Sequence, residues 1–213
     1  MADHSGERVL RELSDARAVG LGAGHNHWGR CTVRVAPDHW LPRVRRVPSP
    51  NCDARFDADD IALLVIHNIS LPAGRFGNGH VEALFCNELD CTLHASFADL
   101  PGVEVSAHLL IARTGRITQF VPFNARAWHA GTSQWRGRSR CNDFSIGIEL
   151  EGTDSRPYTK AQYRSLTRVT AALLERYPRM SPDAIVGHED IAPGRKTDPG
   201  PAFDWSRYLG SLG

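Results

Sequence analysis

Residues 61–66 form the longest run of aliphatic residues in the chain, and the run ends directly in His67. A strand that is apolar at every position has to be covered on both faces, which is typical of an inner strand in a sheet flanked by helices. Asn68 begins the exit from this strand, so the His67 imidazole is predicted at a strand end. A chain of 213 residues can form one such domain with a sizeable core.

Further strands are predicted on both sides of the chain's midpoint. Residues 106–113 and 116–121 are two apolar segments separated by a Thr-Gly pair, which is a hairpin signal. Residues 144–151 alternate so that Glu149 lies on the face opposite the apolar side chains. A short strand is predicted over residues 185–187.

One long helix is clearly indicated over residues 160–177. Thr159 is its predicted N-cap, Gln162 completes the spacing of a capping box, and Pro178 ends it. Its apolar stripe consists of Tyr163, Leu166, Val169, Leu173 and Leu174. With a shorter helix predicted over residues 80–89, the pattern favours an α/β fold in which helices flank a central mixed β-sheet.

Charge and the terminal sequence exclude several classes of protein. The formal net charge is +1, so no overall basic field attracts nucleic acid or an anionic membrane. The N-terminus lacks the pattern of a secretory signal, and no apolar run is long enough to span a bilayer. Five cysteines at irregular spacing suit reduced thiols better than a disulfide framework. We therefore expect a cytoplasmic protein that binds neither nucleic acid nor membrane.

Residues 1–38 differ in composition from the rest of the chain. They are rich in Gly, Ala, Arg and His and carry only a short helical pattern. We expect either a weakly ordered N-terminal extension or a start codon placed too early, followed by one domain over residues 39–213. His25 and His27 could bind stray metal, but we interpret them as part of an exposed tail.

Residues 188–200 combine an imidazole, carboxylates and an ammonium group in a segment punctuated by Pro and Gly. No helical or strand period survives there, so we predict a loop. The short strand before it delivers His188 to one end, and Lys196 and Asp198 lie near the other. A loop of this polarity favours chemistry over packing.

Two histidines at strand ends and one loop carboxylate could form the three-ligand set of a catalytic zinc ion, which keeps a fourth position for water or substrate. The candidates are His67, His188 and Asp198. Spacing alone is weak support, because the chain has ten histidines. Each of the three residues could equally be satisfied in the core or at the surface.

Four segments strengthen the zinc hypothesis: Val65-Ile66-His67-Asn68, Trp128-His129-Ala130-Gly131, residues 146–152 and residues 187–200. Together they resemble the zinc-dependent N-acetylmuramyl-L-alanine amidases, and within that family the cytoplasmic AmpD type, which acts on 1,6-anhydro-muropeptides in cell-wall recycling. The resemblance extends from about residue 39 to the end of the chain. It implies the fold shared by these amidases and peptidoglycan-recognition domains, with one Zn²⁺ in a groove above the strand ends.

The resemblance also implies roles for individual residues. His67, His188 and Asp198 match the family's zinc ligands, Glu149 its catalytic carboxylate and Lys196 its catalytic lysine. These roles fit the chemistry, because zinc polarises an amide carbonyl and lowers the pKa of bound water to about 7. A carboxylate on a rigid strand can move a proton from that water to the leaving amine. An ammonium group can stabilise the developing oxyanion or donate a proton.

Substrate contacts are less strongly indicated. Residues 126–140 hold four arginines beside Trp128 and His129, and arginine can bind a muropeptide carboxylate with two hydrogen bonds. The same segment could equally be a solvated basic loop. We take Trp128, His129 and Arg140 as candidate substrate-binding residues, and Asn68 as either a substrate contact or a strand cap.

The expected function is hydrolysis, by a monomer, of the amide between anhydro-N-acetylmuramic acid and L-alanine in a small muropeptide. A peptidoglycan-binding module of the same fold is one alternative, but the complete ligand set argues against binding alone. A periplasmic amidase of the intact cell wall is another, and the missing export signal argues against it. Cys86, Cys91 and His94 form at most an incomplete metal knuckle, and His108 is interpreted as a satisfied histidine.

Overall fold

The computed structural model describes residues 33–213, in which ten strands and four helices follow one another. The strands are β1 (Arg45–Arg46), β2 (Cys52–Ala54), β3 (Leu63–Ile69), β4 (Leu109–Ile111), β5 (Ile117–Gln119), β6 (Ala125–Ala127), β7 (Gln134–Trp135), β8 (Arg138–Ser139), β9 (Ser145–Glu151) and β10 (Ile185–Gly187). The helices are α1 (His80–Phe85), α2 (Lys160–Arg176), α3 (His188–Ile191) and α4 (Trp205–Gly210). Short 3-10 helices lie at Cys91–Leu93, Ala95–Phe97, Cys141–Asp143 and Pro182–Ala184.

Six of these strands form one mixed sheet in the order β1-β5-β4-β9-β3-β10. β4 and β5 are antiparallel, as the hairpin signal predicts, and the other four neighbouring pairs are parallel. Two small antiparallel pairs, β2 with β6 and β7 with β8, lie outside it. The predicted α/β fold with a central mixed sheet is therefore confirmed.

Helix α2 covers one face of the central sheet. The capping box of Thr159 and Gln162 forms as predicted, and the helix ends at Arg176, one residue earlier than expected. Its apolar stripe packs against alternate side chains of the two inner strands, which together form the largest core cluster. From those strands come Leu64, Ile66, Ile146, Ile148 and Leu150; from the helix come Tyr163, Leu166, Val169 and Leu173.

The opposite face of the same two strands carries His67, Ser145, Glu149 and Glu151. Because side chains alternate along a strand, His67 on β3 and Glu149 on β9 point away from α2. The register places these two residues directly opposite each other. The same alternation of side chains therefore places apolar residues in the core on one face and these four polar residues on the other.

Three local predictions are wrong in detail. His67 is the fifth residue of a seven-residue strand and not its end, because β9 continues to pair with β3 as far as Ile69. The first four residues of the predicted loop form the single-turn helix α3, since the Asp190 carboxylate accepts a hydrogen bond from Gly187 N–H at 2.7 Å and caps that turn. α1 is also shorter than predicted and ends at Phe85.

Most of the predicted extension over residues 1–38, with His25 and His27, lies outside the described residues. Within its described part, Val33 and Val35 are half-buried and pack against the largest core cluster. Among the described residues, no helix has the length and apolar character needed to cross a membrane.

Candidate active site

Three ligand atoms converge on the sheet face opposite α2. His67 Nδ1 lies 3.0 Å from His188 Nδ1 and 3.0 Å from Asp198 Oδ2, and the latter two atoms are 3.2 Å apart. β3 supplies the first residue, the start of α3 the second, and the loop after α3 the third. Both imidazoles are buried, while the carboxylate is partly accessible. The structure thus brings together the three residues predicted as metal ligands.

The geometry of this triangle fits a tetrahedral metal site. Ligand atoms about 2.0–2.1 Å from a tetrahedral zinc ion lie about 3.3–3.4 Å apart, close to the three separations observed. His188 Nε2 donates to the Ala130 carbonyl at 3.1 Å, which leaves a lone pair on Nδ1 for the ion. Among the described residues, this is the only group of three or more His, Cys, Asp or Glu side chains placed to hold a metal. Cys86, Cys91 and His94 do not form one.

Burial and charge prepare these ligands for a cation. Burial lowers the pKa of His67 to about 4, against the opposing effect of the adjacent Asp198 carboxylate, so this imidazole is neutral at physiological pH. Burial alone would raise the pKa of Asp198, but the adjacent His188 and His67 imidazoles hold it below its usual value. Asp198 is therefore ionised, and a neutral imidazole with an anionic carboxylate suits a divalent metal.

Glu149 lies beside this triangle. Its carboxyl group is buried, and Oε2 has no hydrogen-bond partner among the described residues. Burial raises its pKa well above the ordinary value, the negative charge of Asp198 raises it further, and the Lys196 ammonium opposes both. Lys196 is exposed, and its backbone N–H donates to the Ala192 carbonyl at 3.0 Å. A buried carboxyl group with a free oxygen is suited to exchanging a proton with a bound molecule.

The four predicted substrate residues occupy different surroundings. The Asn68 amide donates to Asp154 Oδ1 at 2.7 Å and to the Pro199 carbonyl at 3.2 Å. Arg140 is largely exposed. Trp128 is half-buried, and its backbone N–H donates to Ser106 Oγ at 3.1 Å. His129 lies behind His67.

The arginines of residues 126–140 all have acidic partners. The pairs are Arg126 with Asp53 and Asp143, Arg136 with Asp183, Arg138 with Asp60, and Arg140 with Asp143. Three of these four aspartates lie far away in the sequence, so sequence spacing could not reveal them. The ion pairs give these arginines structural partners besides any substrate carboxylate.

Two supporting residues were missed by sequence reasoning. The Arg55 guanidinium is buried and donates to the carbonyl groups of four residues: Phe123, Asn142, Asp143 and Ser145. Arg195 donates to the carbonyls of Ala130 (2.7 Å) and Thr132 (2.6 Å). Burial lowers the pKa of Arg55 to about 10. The sequence gives no signal for the role of Arg55. Arg195, in contrast, lies within residues 187–200, one of the segments that carry the resemblance.

His108 is the satisfied histidine that the sequence predicted. Its Nδ1 accepts from the Gly147 N–H at 3.0 Å, and its Nε2 lies 3.1 Å from the Ala125 carbonyl. Both ring nitrogens are thus used within the fold, and neither is available to a metal ion or a substrate.

Comparison with known proteins places this site in a family. Residues 57–201 match the sequence profile of N-acetylmuramoyl-L-alanine amidases. The chain belongs to the N-acetylmuramoyl-L-alanine amidase family. This amidase is 58% identical over 169 residues to the 1,6-anhydro-N-acetylmuramyl-L-alanine amidase AmpD of Escherichia coli K12, which covers 79% of this chain and 92% of that relative. The family and the enzyme class predicted from the sequence are confirmed.

Two solved structures extend the comparison. The crystal structure of a selenomethionine AmpD derivative matches with a TM-score of 0.80 and 55% identity, covering 83% of this amidase and 98% of that chain. The amidase AmiD of Escherichia coli, solved with anhydro-N-acetylmuramic acid-L-Ala-D-γ-Glu-L-Lys, matches with a TM-score of 0.55 and 33% identity, covering 75% and 60%. The predicted amidase fold is therefore confirmed.

Proposed function

We propose that this amidase hydrolyses the amide between 1,6-anhydro-N-acetylmuramic acid and L-alanine in small muropeptides, during peptidoglycan recycling in the cytoplasm. It acts as a monomer whose catalytic domain spans residues 39–213 and uses one Zn²⁺. The observation that carries the proposal is the triangle of ligand atoms beside the buried, unbonded carboxyl oxygen of Glu149. The activity for which the AmpD relative is named supports the choice of substrate.

His67, His188 and Asp198 would hold the ion through Nδ1, Nδ1 and Oδ2. Zinc, when bound there, supplies a Lewis acid that polarises the scissile carbonyl and makes water a better nucleophile at neutral pH. With two neutral imidazoles and one carboxylate as ligands, a bound Zn²⁺ would keep a net positive charge, and strand β3 fixes the direction of His67.

Glu149 moves the proton. Its Oε2 is free to accept a proton from the attacking water and to pass it to the departing L-alanine nitrogen. Burial and the charge of Asp198 favour the protonated acid, whereas Lys196 favours the carboxylate. These opposing influences suit a group that must accept and release the same proton within one turnover.

Lys196 stabilises charge on the substrate. It lies two residues before Asp198, and among the described residues no ion pair or side-chain hydrogen bond engages its ammonium. The ammonium is therefore available to the carbonyl oxygen, which becomes negative as water attacks.

Asn68, Trp128 and Arg140 contact the substrate in this proposal. The ion pair between Arg140 and Asp143 is exposed, and such pairs contribute about 0–1 kcal/mol. A muropeptide carboxylate can therefore replace Asp143 at little cost. The half-buried Trp128 ring offers an apolar face to a sugar or peptide plane.

The test compares the purified full chain with two variants on anhydro-muropeptide and on intact sacculi, with chromatography to follow product and elemental analysis to count zinc. Glu149→Ala should retain zinc and lose about 10²–10⁴-fold in turnover, whereas His188→Ala should lose the metal. Near-normal turnover of Glu149→Ala would remove that residue from the mechanism. Activity that survives exhaustive chelation would overturn the zinc proposal, and preference for sacculi would overturn the substrate.

A further inference from the structure

His129 forms a second layer behind the candidate metal site. Its Nδ1 lies 2.9 Å from His67 Nε2, on the side of the His67 ring remote from the three ligand atoms. Its Nε2 lies 3.1 Å from Ser145 Oγ. The two imidazoles meet edge to face, with ring centroids 5.0 Å apart. Every polar atom of the His129 ring is therefore engaged within the protein.

The sheet reserves space for this ring. Gly147 lies on β9 between Ser145 and Glu149, and a Cβ added there would come within 2.5–2.7 Å of three His129 ring atoms. Contacts that short do not occur in folded proteins, so any side chain at this position would displace the imidazole. A glycine in a fully buried strand is thereby explained by the ring that packs on it.

The backbone around His129 is fixed as well. Asn142 Oδ1 accepts hydrogen bonds from the N–H groups of His129 (3.2 Å) and Ala130 (2.8 Å). The same turn presents the Ala130 carbonyl to His188 Nε2. The segment His129–Ala130 thus contacts both candidate imidazole ligands on the side away from the metal site.

Hydrogen-bond chemistry explains what this arrangement does. An imidazole that binds a metal through Nδ1 must be neutral and carry its proton on Nε2. That N–H requires an acceptor, which for metal-bound histidines is usually a carbonyl or carboxylate. For His67 the acceptor is His129 Nδ1, and His129 then donates its own Nε2 proton to Ser145 Oγ. A hydroxyl can accept this bond, so the chain of donors is complete.

We propose that His129 is a positioning residue, which holds His67 in the tautomer and orientation that present Nδ1 to the metal, with Ser145 as the terminal acceptor. This inference rests on the proposed zinc site. It gives His129 a role other than the substrate contact predicted from the sequence.

The test compares His129→Leu with His129→Asn. Leucine removes the acceptor, whereas the asparagine Oδ1 can occupy a position close to that of the imidazole Nδ1. We expect His129→Leu to weaken zinc binding about 10–100-fold in competition with a chromophoric chelator. It should also alter the visible absorption spectrum of the Co²⁺-substituted protein. His129→Asn should recover most of the zinc affinity and a spectrum close to that of the wild type.

Thr170→Val is the matched control, because it removes a buried hydrogen bond to Tyr208 on the α2 side of the sheet. It should lower the unfolding temperature and leave zinc affinity unchanged. Ser145→Ala is a second probe that does not alter the ring, and it should weaken zinc binding less than His129→Leu does.

The outcomes separate this inference from the proposed function. If the wild type binds zinc and His129→Leu binds it within twofold of the wild type, the positioning role is wrong and the zinc site stands. If His129→Leu and His129→Asn weaken zinc binding equally, the role of His129 Nδ1 as a hydrogen-bond acceptor is also refuted. If His129→Leu does not fold, unchanged zinc affinity in Ser145→Ala refutes the proposed hydrogen-bond chain from His67 through His129 to Ser145. A wild type that takes up no zinc would overturn both proposals.

Discussion

Replacing Glu149 by Gln should stabilise the metal-free protein while it abolishes most catalysis. The wild-type carboxyl group is buried and its Oε2 has no hydrogen-bond partner among the described residues. Glutamine keeps the volume of the side chain and removes its titration, so a neutral group replaces one that is costly to ionise there. A residue kept for chemistry at the expense of stability should show this pair of opposite effects.

The magnitude follows from the cost of ionising a buried carboxyl group, which glutamine removes. Each pKa unit by which the folded value exceeds the unfolded one costs about 1.4 kcal/mol once the pH is above both values. In a domain of this size, 1 kcal/mol shifts the unfolding temperature by about 2–4 °C, so a gain of about 2 kcal/mol raises it by about 4–8 °C.

The effect should depend on pH in a defined direction. The folded pKa of Glu149 is raised above its ordinary value of 4.5, so the folded protein binds more protons than the unfolded chain between the two values. The stability that this carboxyl group contributes is complete below the unfolded pKa and is lost as the pH rises through the folded one. The advantage of Glu149→Gln is therefore small at about pH 5 and grows towards alkaline pH.

Thermal unfolding in the presence of a chelator, at about pH 5 and about pH 8, measures the difference. Glu151→Gln is the matched control, because Glu151 is buried in the same strand but its oxygens accept hydrogen bonds from the N–H groups of Gly77 and Arg113. That control should lose stability. A Glu149→Gln variant that is less stable than the wild type at about pH 8, or whose advantage does not grow with pH, would refute the reasoning.

Three further predictions concern stability and the metal. Arg55→Met removes a charged donor from four buried carbonyls and should lower the free energy of unfolding by about 3–5 kcal/mol, measured by denaturant titration. Thr159→Ala breaks the α2 capping box and should cost about 1 kcal/mol in the same titration, with amidase activity unchanged because α2 covers the other face. If free zinc is present at about 100 times its Kd, removing it should lower the free energy of unfolding by about 2.7 kcal/mol, measured by calorimetry. An unaltered unfolding temperature would contradict zinc binding to the folded state.

Sequence patterns formed by neighbouring residues predicted much of the fold. The aliphatic run before His67, the hairpin of β4 and β5, and α2 with its capping box all depend on neighbouring residues, and each forms close to its predicted position. The three candidate ligands were predicted from two short segments, residues 65–68 and 187–200, and the structure brings them together.

Long-range pairing explains what the sequence did not show. β3 extends past His67 because β9 lies beside it, and no residue near His67 encodes that partner. The arginine-rich segment resembled a carboxylate-binding surface because Asp53, Asp60 and Asp183 join it only after folding. The position of His129 depends on the missing side chain of Gly147, 18 residues away on β9.

The central sheet couples the stability of the fold to the geometry of the site. Alternate residues of β3 and β9 serve opposite faces, so Ile66 packs under α2 while His67 faces the site. A slip of one residue in pairing would exchange the two sets, burying the imidazole in the apolar core and exposing the aliphatic side chains. The hydrophobic pattern that selects the register therefore also sets His67 opposite Glu149. The precision of the candidate metal site thus originates in the core on the other side of the sheet. Helix α3 with His188 and the loop after it with Asp198 complete a geometry already half fixed by strand pairing.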